Sequence, residues 1–201
     1  MATRVVAAFD FDRTLSTRDN VLPFLIAAAG RTAVVATLAR SLPDLARGRR
    51  DAIKERLARD LLAGREETEV SAVAARFAAD CIAHHLRDDV VERAGWHREQ
   101  GHERVIVSAS FECYVAPVAE SLGFDAALAT RLVVSPAGRL TGELDGRNVR
   151  RAEKVRRLET WLDATGPATI WAYGDSAGDR ELFARAHHPV LVGRRAMPPH
   201  P

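Results

Sequence analysis

Five short apolar runs bounded by turn residues, at positions 5–9, 105–107, 126–129, 169–173 and 190–192, constrain what this chain can fold into more than any other feature. Runs of this length without polar alternation read as buried strands. Helical patterns lie between most of them, at 112–122, 151–162 and 178–186. That alternation predicts a mostly parallel α/β sheet flanked by helices. Residues 132–135 and 139–143, joined by Pro136-Ala137-Gly138, read instead as a small hairpin on the edge of the sheet.

The interval between the first two runs breaks the rhythm. From Ser16 to His102 there is no strand pattern, while Leu57, Leu61 and Leu62, then Val70, Val73, Ala74 and Phe77, recur at helix-face spacing. A structureless loop of that length is improbable inside a compact domain. The segment is therefore expected to be a helical subdomain inserted after the first strand. The boundaries that follow are an α/β core over 1–15 and 89–201 and a helical cap over 16–88, with a helix at 89–100 returning to the core. At 201 residues the chain accommodates both. Residues 21–42 are its most apolar stretch, but Gly30-Arg31-Thr32 divides them into pieces too short to span a bilayer, so they read as buried helix without stable membrane insertion.

Composition narrows the function classes. With 29 Lys and Arg against 27 Asp and Glu, the formal charge is +2, and no basic aromatic face or base-reading motif is present, so nucleic acid is not an expected partner. The 2 cysteines, Cys81 and Cys113, form no CxxC pair and have no His at zinc-ligand spacing, which argues against a disulfide framework or structural zinc. The N-terminal run is too short for a secretory h-region and is interrupted by Asp10 and Asp12, so a cytoplasmic protein is expected. Oligomeric state is not encoded in any visible pattern.

The first strand run ends in Asp10-Phe11-Asp12-Arg13-Thr14, which delivers two carboxylates at i and i+2 to one side of a strand's carboxyl end. Ligands of open α/β sheets bind there. Alone, such a pair serves equally well as a turn or capping feature. The fourth run is followed by Gly174-Asp175-Ser176-Ala177-Gly178-Asp179, a second acidic turn before a helix. Clustered carboxylates without His or Cys suit a hard divalent cation and point to Mg2+ rather than zinc. The second run ends in Ser108-Ala109-Ser110, where hydroxyls and free N–H groups gather and an anion could dock, although Ser is also a common helix cap. Lys154 opens an amphipathic helix that also carries Arg150, Arg151, Arg156 and Arg157, and by itself reads as a surface lysine.

These four sites, in this order, resemble the haloacid dehalogenase-like hydrolases, whose motifs are D-x-D-x-T, a strand-end Ser or Thr, a Lys, and G-D-x-x-x-D. The helical insertion between the first two motifs is most similar to the phosphoserine-phosphatase-like branch. The resemblance implies a Rossmann-like core and a magnesium-dependent phosphomonoester hydrolase working through an aspartyl-phosphate. It makes Asp10 the nucleophile and Asp12 the general acid and base. The metal would be held by Asp10, the backbone carbonyl of Asp12 and Asp175, with Asp179 in support. Ser108, the Ala109 N–H and Lys154 would bind phosphoryl oxygens, and Thr14 would orient the Asp12 region beside them.

The same resemblance places Asp19 where phosphoserine phosphatases use a Glu to read the substrate, though Asp19 equally suits the cap of a helix starting near Val21. Gly178 replaces their Asn, and Ser108-Ala109-Ser110 replaces their usual Ser-Gly-Gly. The expected substrate is a small phosphomonoester, phosphoserine among the options. Arg56, Arg59 and Arg65 are cap arginines placed to meet a substrate carboxylate, and Arg47-Gly48-Arg49-Arg50 forms a second basic cluster. A phospholipid head group, or a non-catalytic phosphate-binding regulator of the same fold, are the alternatives.

Overall fold

The computed structural model describes residues 4–193 and Met197. Its main sheet has the order β3-β2-β1-β6-β7, and every neighbouring pair is parallel. These strands are β1 (Val5–Phe9), β2 (Glu103–Phe111), β3 (Ala126–Thr130), β6 (Thr169–Gly174) and β7 (His188–Leu191). The chain builds one side of the sheet from β1 to β3 and then returns to place β6 against the other edge of β1. The topological switch therefore falls between β1 and β6, where a ligand crevice opens at the carboxyl ends of the strands.

The period of two along β1 explains both faces. Ala7 and Phe9 join an apolar cluster with α1 (Val21–Ala29), α4 (Arg50–Leu62), α5 (Glu67–His84), α6 (Asp88–Glu99) and α7 (Glu112–Ser121). Val6 and Ala8 join a second cluster with Leu158 and Leu162 of α8 (Ala152–Thr165) and Leu182 of α9 (Arg180–Arg185). A strand covered on both faces must be apolar throughout, as this one is. Asp10 is still extended, at φ −67 and ψ 158, so it continues the Val6–Ala8 face toward α8.

Five helices lie between β1 and α6: α1, α2 (Arg31–Arg40), α3 (Leu42–Ala46), α4 and α5. Gly30, at φ 86, separates α1 from α2, a conformation that glycine adopts without the steric cost of a side chain. Their apolar faces share one cluster with the sheet. Phe24 and Phe77 pack on Tyr114 of α7 with ring centroids 4.8 and 5.2 Å away. The chain leaves and returns side by side, through a bridge between Ser16 and Leu86 and a 3.0 Å bond from the Arg87 N–H to the Leu15 carbonyl.

Two local expectations are corrected. Residues 132–135 and 139–143 do form a hairpin, β4 (Leu132–Val134) with β5 (Leu140–Leu144), but it is a separate two-stranded sheet and not an edge of the main one. It pairs with the α4–α5 connection, through Gly64 N–H to Leu140 O at 2.8 Å and Leu140 N–H to Arg65 O at 2.9 Å. A side chain at Gly142 would meet the Arg59 Cα at 2.7 Å, so this glycine permits the close approach of β5 to α4. Nor is the apolar stretch 21–42 buried throughout. On α2 only Val34 and Thr37 are buried, while Val35 and Leu42 are each 59% exposed. No helix among the described residues is long and apolar enough to cross a membrane.

Beneath the sheet, His97 of α6 is fully buried, with Nε2 2.8 Å from the Tyr173 hydroxyl and Nδ1 2.8 Å from Nδ1 of His102. Burial first, then the charges of His102, Arg93 and Arg104, push its pKa from 6.5 down to about 3. Below the ordinary histidine range the unfolded chain takes up a proton here that the folded chain refuses, so this site costs stability as the pH falls. In thermal melts from about pH 7.5 to about pH 4.5, wild type should lose more Tm than His97→Asn. Parallel Tm profiles for the two proteins would count against it.

Candidate active site

Each motif reaches the switch point for a local reason. Asp10 directly follows β1, and its N–H is bonded to the Tyr173 carbonyl at 2.8 Å, which locks the first acidic turn to β6. Asp175 and Asp179 follow β6. Gly174 is obligatory there, since a Cβ would lie 2.5 Å from the Asp179 Cγ. The short 3-10 turn Ala177–Asp179 is closed by a capping box, with the Ser176 hydroxyl accepting from the Gly178 N–H and the Asp179 carboxylate accepting from the Ser176 N–H. Carboxylate oxygens of Asp10, Asp175 and Asp179 all lie within 4.8 Å of one another.

Lys154, the first buried polar group of α8 beside Glu153, bridges two of these acids. Its Nζ is 2.6 Å from Asp10 Oδ1 and 2.5 Å from Asp179 Oδ1, and the side chain is 3% exposed. Burial raises the Asp10 carboxyl to about 7; Lys154 opposes the shift, and the charges of Asp179 and Asp12 add to it. Burial alone would lower Lys154, but Asp10 and Asp179 outweigh it and hold the ammonium above its ordinary value. Asp175 is also raised, by burial and then by Asp179. A three-acid cluster that one lysine leaves under-compensated is a donor set for a hard cation, so the residues fit magnesium.

Asp12 points away from that cluster. Its Oδ1 accepts from the Asn20 N–H at 3.0 Å and from Asn20 Nδ2 at 2.8 Å, and its Oδ2 accepts from the Ser110 hydroxyl at 2.6 Å. Burial, then the nearby charge of Asp19, raises it to about 6 against the pull of these bonds. Ser108 and Ala109 also line the cavity, and the Ser108 hydroxyl accepts from the Ser110 N–H at 3.0 Å, leaving its own proton free to donate.

The cavity places the other expected residues less uniformly. Asp19 lines it and also bonds the Val21 N–H at 3.2 Å, so it serves the start of α1 as well. Thr14 is fully buried, has no partner for its hydroxyl and does not line the cavity. Arg56 turns to Asp44 at 3.3 Å, Arg59 lies beneath β5, and Arg65 bonds Glu69 and the Ala28 carbonyl. None of these three arginines lines the cavity; Arg13, Arg50 and Arg150 do.

Sequence reasoning missed Asn20 and Lys54, and placed Ser110 at an anion-docking strand end without its bond to Asp12. Lys54, 6% exposed on α4, donates to the Ala109 carbonyl and to Asn148 Oδ1 at 2.9 Å, and lies 4.4 Å from the Phe111 ring centroid. Thr130 adds a 3.1 Å bond to the same carbonyl. The serine loop is thus pinned from behind by α4. The signal was legible: Lys54, Leu57, Ala58 and Leu61 share one helix face, and a lysine among apolar residues at that spacing marks a buried cation. Burial lowers its pKa to about 7.

Strand-end carboxylates gathered around a buried lysine, with a serine turn lining the same cavity at the switch point of a parallel sheet, form the kind of site a hydrolase uses. The chain belongs to the haloacid dehalogenase-like hydrolases, whose family model matches residues 7–184. Phosphoserine phosphatases are among the relatives it matches over part of their length and among its structural neighbours. It is 38% identical to Protein CicA of Caulobacter vibrioides over 90% of this chain and 83% of that protein. It is 32% identical to phosphoserine phosphatase of Methanocaldococcus jannaschii over 44% of this chain and 43% of that enzyme. Among solved structures, a Bordetella pertussis Tohama I protein of unknown function superposes at a TM-score of 0.80, with 28% identity over 94% of this chain and 90% of the other. A phospho-aspartyl intermediate analogue of phosphoserine phosphatase shares the fold, at a TM-score of 0.66 and 23% identity over 94% and 87% of the two chains.

Proposed function

We propose that this hydrolase acts on small phosphomonoesters through an aspartyl-phosphate on Asp10, with magnesium as cofactor. The observation that carries the reading is the convergence of Asp10, Asp175 and Asp179 beside Lys154 in a cavity that Ser108 and Ala109 also line. Residues 1–15 and 89–201 act as the catalytic core, and 16–88 as the cap that covers it.

Asp10, Asp175 and Asp179 would hold the metal in this reading, joined by the Asp12 carbonyl. When bound, magnesium supplies the positive charge that offsets these carboxylates and polarises the phosphoryl oxygens. A carboxylate oxygen of Asp10 attacks phosphorus and the ester P–O bond breaks, splitting one difficult displacement into two easier ones. Asp12 delivers a proton to the departing alkoxide, then takes one from the water that attacks phosphorus and releases Asp10. Lys154, the Ser108 hydroxyl and the Ala109 N–H stabilise the charge that develops on the phosphoryl oxygens.

Phosphate release from an aryl phosphate should vanish when the protein is dialysed against EDTA and return with added magnesium. Full turnover by exhaustively chelated protein would sink the reading. Because Asp19 and Gly178 stand where phosphoserine phosphatases carry Glu and Asn, phosphoserine holds no privileged place among the substrates.

A further inference from the structure

The catalytic cavity is about 160 Å³. It opens on a wider vestibule of about 750 Å³, and Arg13, Arg50, Arg150, Ser176 and Gly178 line both. A cavity of about 810 Å³ also shares Arg13 and Asp175 with the catalytic cavity, but Asp88 and Asp89 line that one, so an anionic leaving group is better received in the vestibule.

Its wall is cationic. Arg13, Arg49, Arg50, Arg150 and Arg151 line it, against the single acid Asp51. Asp51 is already engaged, accepting from Asn148 Nδ2 at 2.7 Å, and Arg49 reaches Asp44 only at 3.9 Å. Among the described residues Arg13, Arg50, Arg150 and Arg151 have no ion pair, although this chain pairs many of its arginines elsewhere.

Two helices begin on the same wall. Arg49 and Arg50 open α4, Arg150 and Arg151 precede α8, and neither helix has a side-chain cap. Helix N-termini carry partial positive charge and favour acids; each first turn has one, Asp51 in α4 and Glu153 in α8, but the paired arginines at both starts add like charge to the dipole. Arg13 and Arg151, at φ 59 and φ 53, are the two non-glycine residues of positive φ among those described, and both belong to this wall. Unfavourable backbone and like charges gathered at one place mark a site whose compensation comes from a ligand.

We propose that this vestibule binds a second phosphate on the substrate, so that the preferred substrates are small bisphosphorylated molecules. The inference rests on the phosphatase reading of the Asp10 site. A carboxylate can serve two guanidinium groups, as Glu153 does for Arg156 and Arg157, whereas a phosphate dianion carries more charge and a third oxygen and so suits a wall of five arginines better. Neutral alcohols would leave the wall uncompensated.

The test compares matched pairs at fixed free magnesium: fructose 6-phosphate with fructose 1,6-bisphosphate, and adenosine 5′-monophosphate with adenosine 3′,5′-bisphosphate. An aryl phosphate serves as a reference for turnover. In at least one pair kcat/KM should favour the bisphosphate by about tenfold or more, as charge-assisted hydrogen bonds allow. In Arg50→Ala/Arg151→Ala, both exposed positions, that ratio should collapse toward one. Arg50→Lys/Arg151→Lys should restore it only in part, since charge returns without the fork. A ratio near one for both pairs in wild type, or a double variant that loses equally on both members of a pair, would overturn the proposal; the latter is general electrostatic steering. If the aryl phosphate is also untouched, the phosphatase reading falls instead. Turnover of it without any bisphosphate preference removes this inference alone.

Discussion

Asp10→Asn should reduce turnover to background on every substrate, a loss of roughly 10^4-fold or more, comparable to removing a nucleophile elsewhere. The substitution keeps the shape of the side chain and removes the attacking oxygen's charge. It should not unfold the protein. Asp10 sits in a buried site where Asp179 and Asp12 already penalise its charge, and Lys154 keeps its 2.5 Å contact with Asp179 when Asp10 becomes neutral. The comparison therefore pairs steady-state rates at saturating magnesium with thermal melts of both proteins. A variant that melts like wild type and does not turn over identifies a chemical role. A rapidly quenched, acid-stable phosphoenzyme recovered from Asp10→Asn would remove this residue as nucleophile.

Much of the fold was legible because local signals agreed. Each main-sheet strand coincides with an apolar run, and the returning helix predicted at 89–100 is α6, Asp88–Glu99. The acidic turns were visible because they interrupt apolar runs. What was hidden depends on contacts distant in sequence. The β4–β5 hairpin pairs with residues 64–67, which no turn signal in 132–143 could reveal. The partners of Asp12 are 8 and 98 positions away, at Asn20 and Ser110. Cap arginines could not be ranked because helix phase decides which of them faces the core. Arg56 and Arg59 turn from the cavity, while Arg50, at the start of the same helix, reaches it.

The vestibule connects these observations to function. The start of α4 carries Arg50 into the wall, and one turn later Lys54 holds the Ala109 carbonyl of the serine loop. The same helix therefore touches both the place proposed for the leaving group and the loop proposed for the phosphoryl oxygens. A substrate seated against Arg50 and the serine loop thus share one rigid support, which favours reaction of molecules long enough to fill both cavities.

Asp12→Asn should separate the chemical steps instead of abolishing all of them. The substitution is tolerated by its surroundings. An amide oxygen at Oδ1 still accepts both Asn20 donors, and an Nδ2 at the other position can donate to the Ser110 hydroxyl, which rotates to accept. What disappears is the proton for the leaving group. An alkyl phosphate expels a strongly basic alkoxide, so its kcat/KM should fall by about 10^2 to 10^4, the usual worth of a general acid. A p-nitrophenyl phosphate leaves as a stable phenolate and should still phosphorylate Asp10. Hydrolysis of the aspartyl-phosphate also needs Asp12 as base, and that later step is common to both substrates. Steady-state rates alone would therefore blur the distinction. In a rapid-mixing experiment at saturating magnesium, the variant should release close to one equivalent of p-nitrophenolate in a burst and then turn over slowly, while the alkyl substrate gives no burst. Equal depression of the phosphorylation step for both substrates would assign Asp12 to positioning or metal binding and take away its role as the acid.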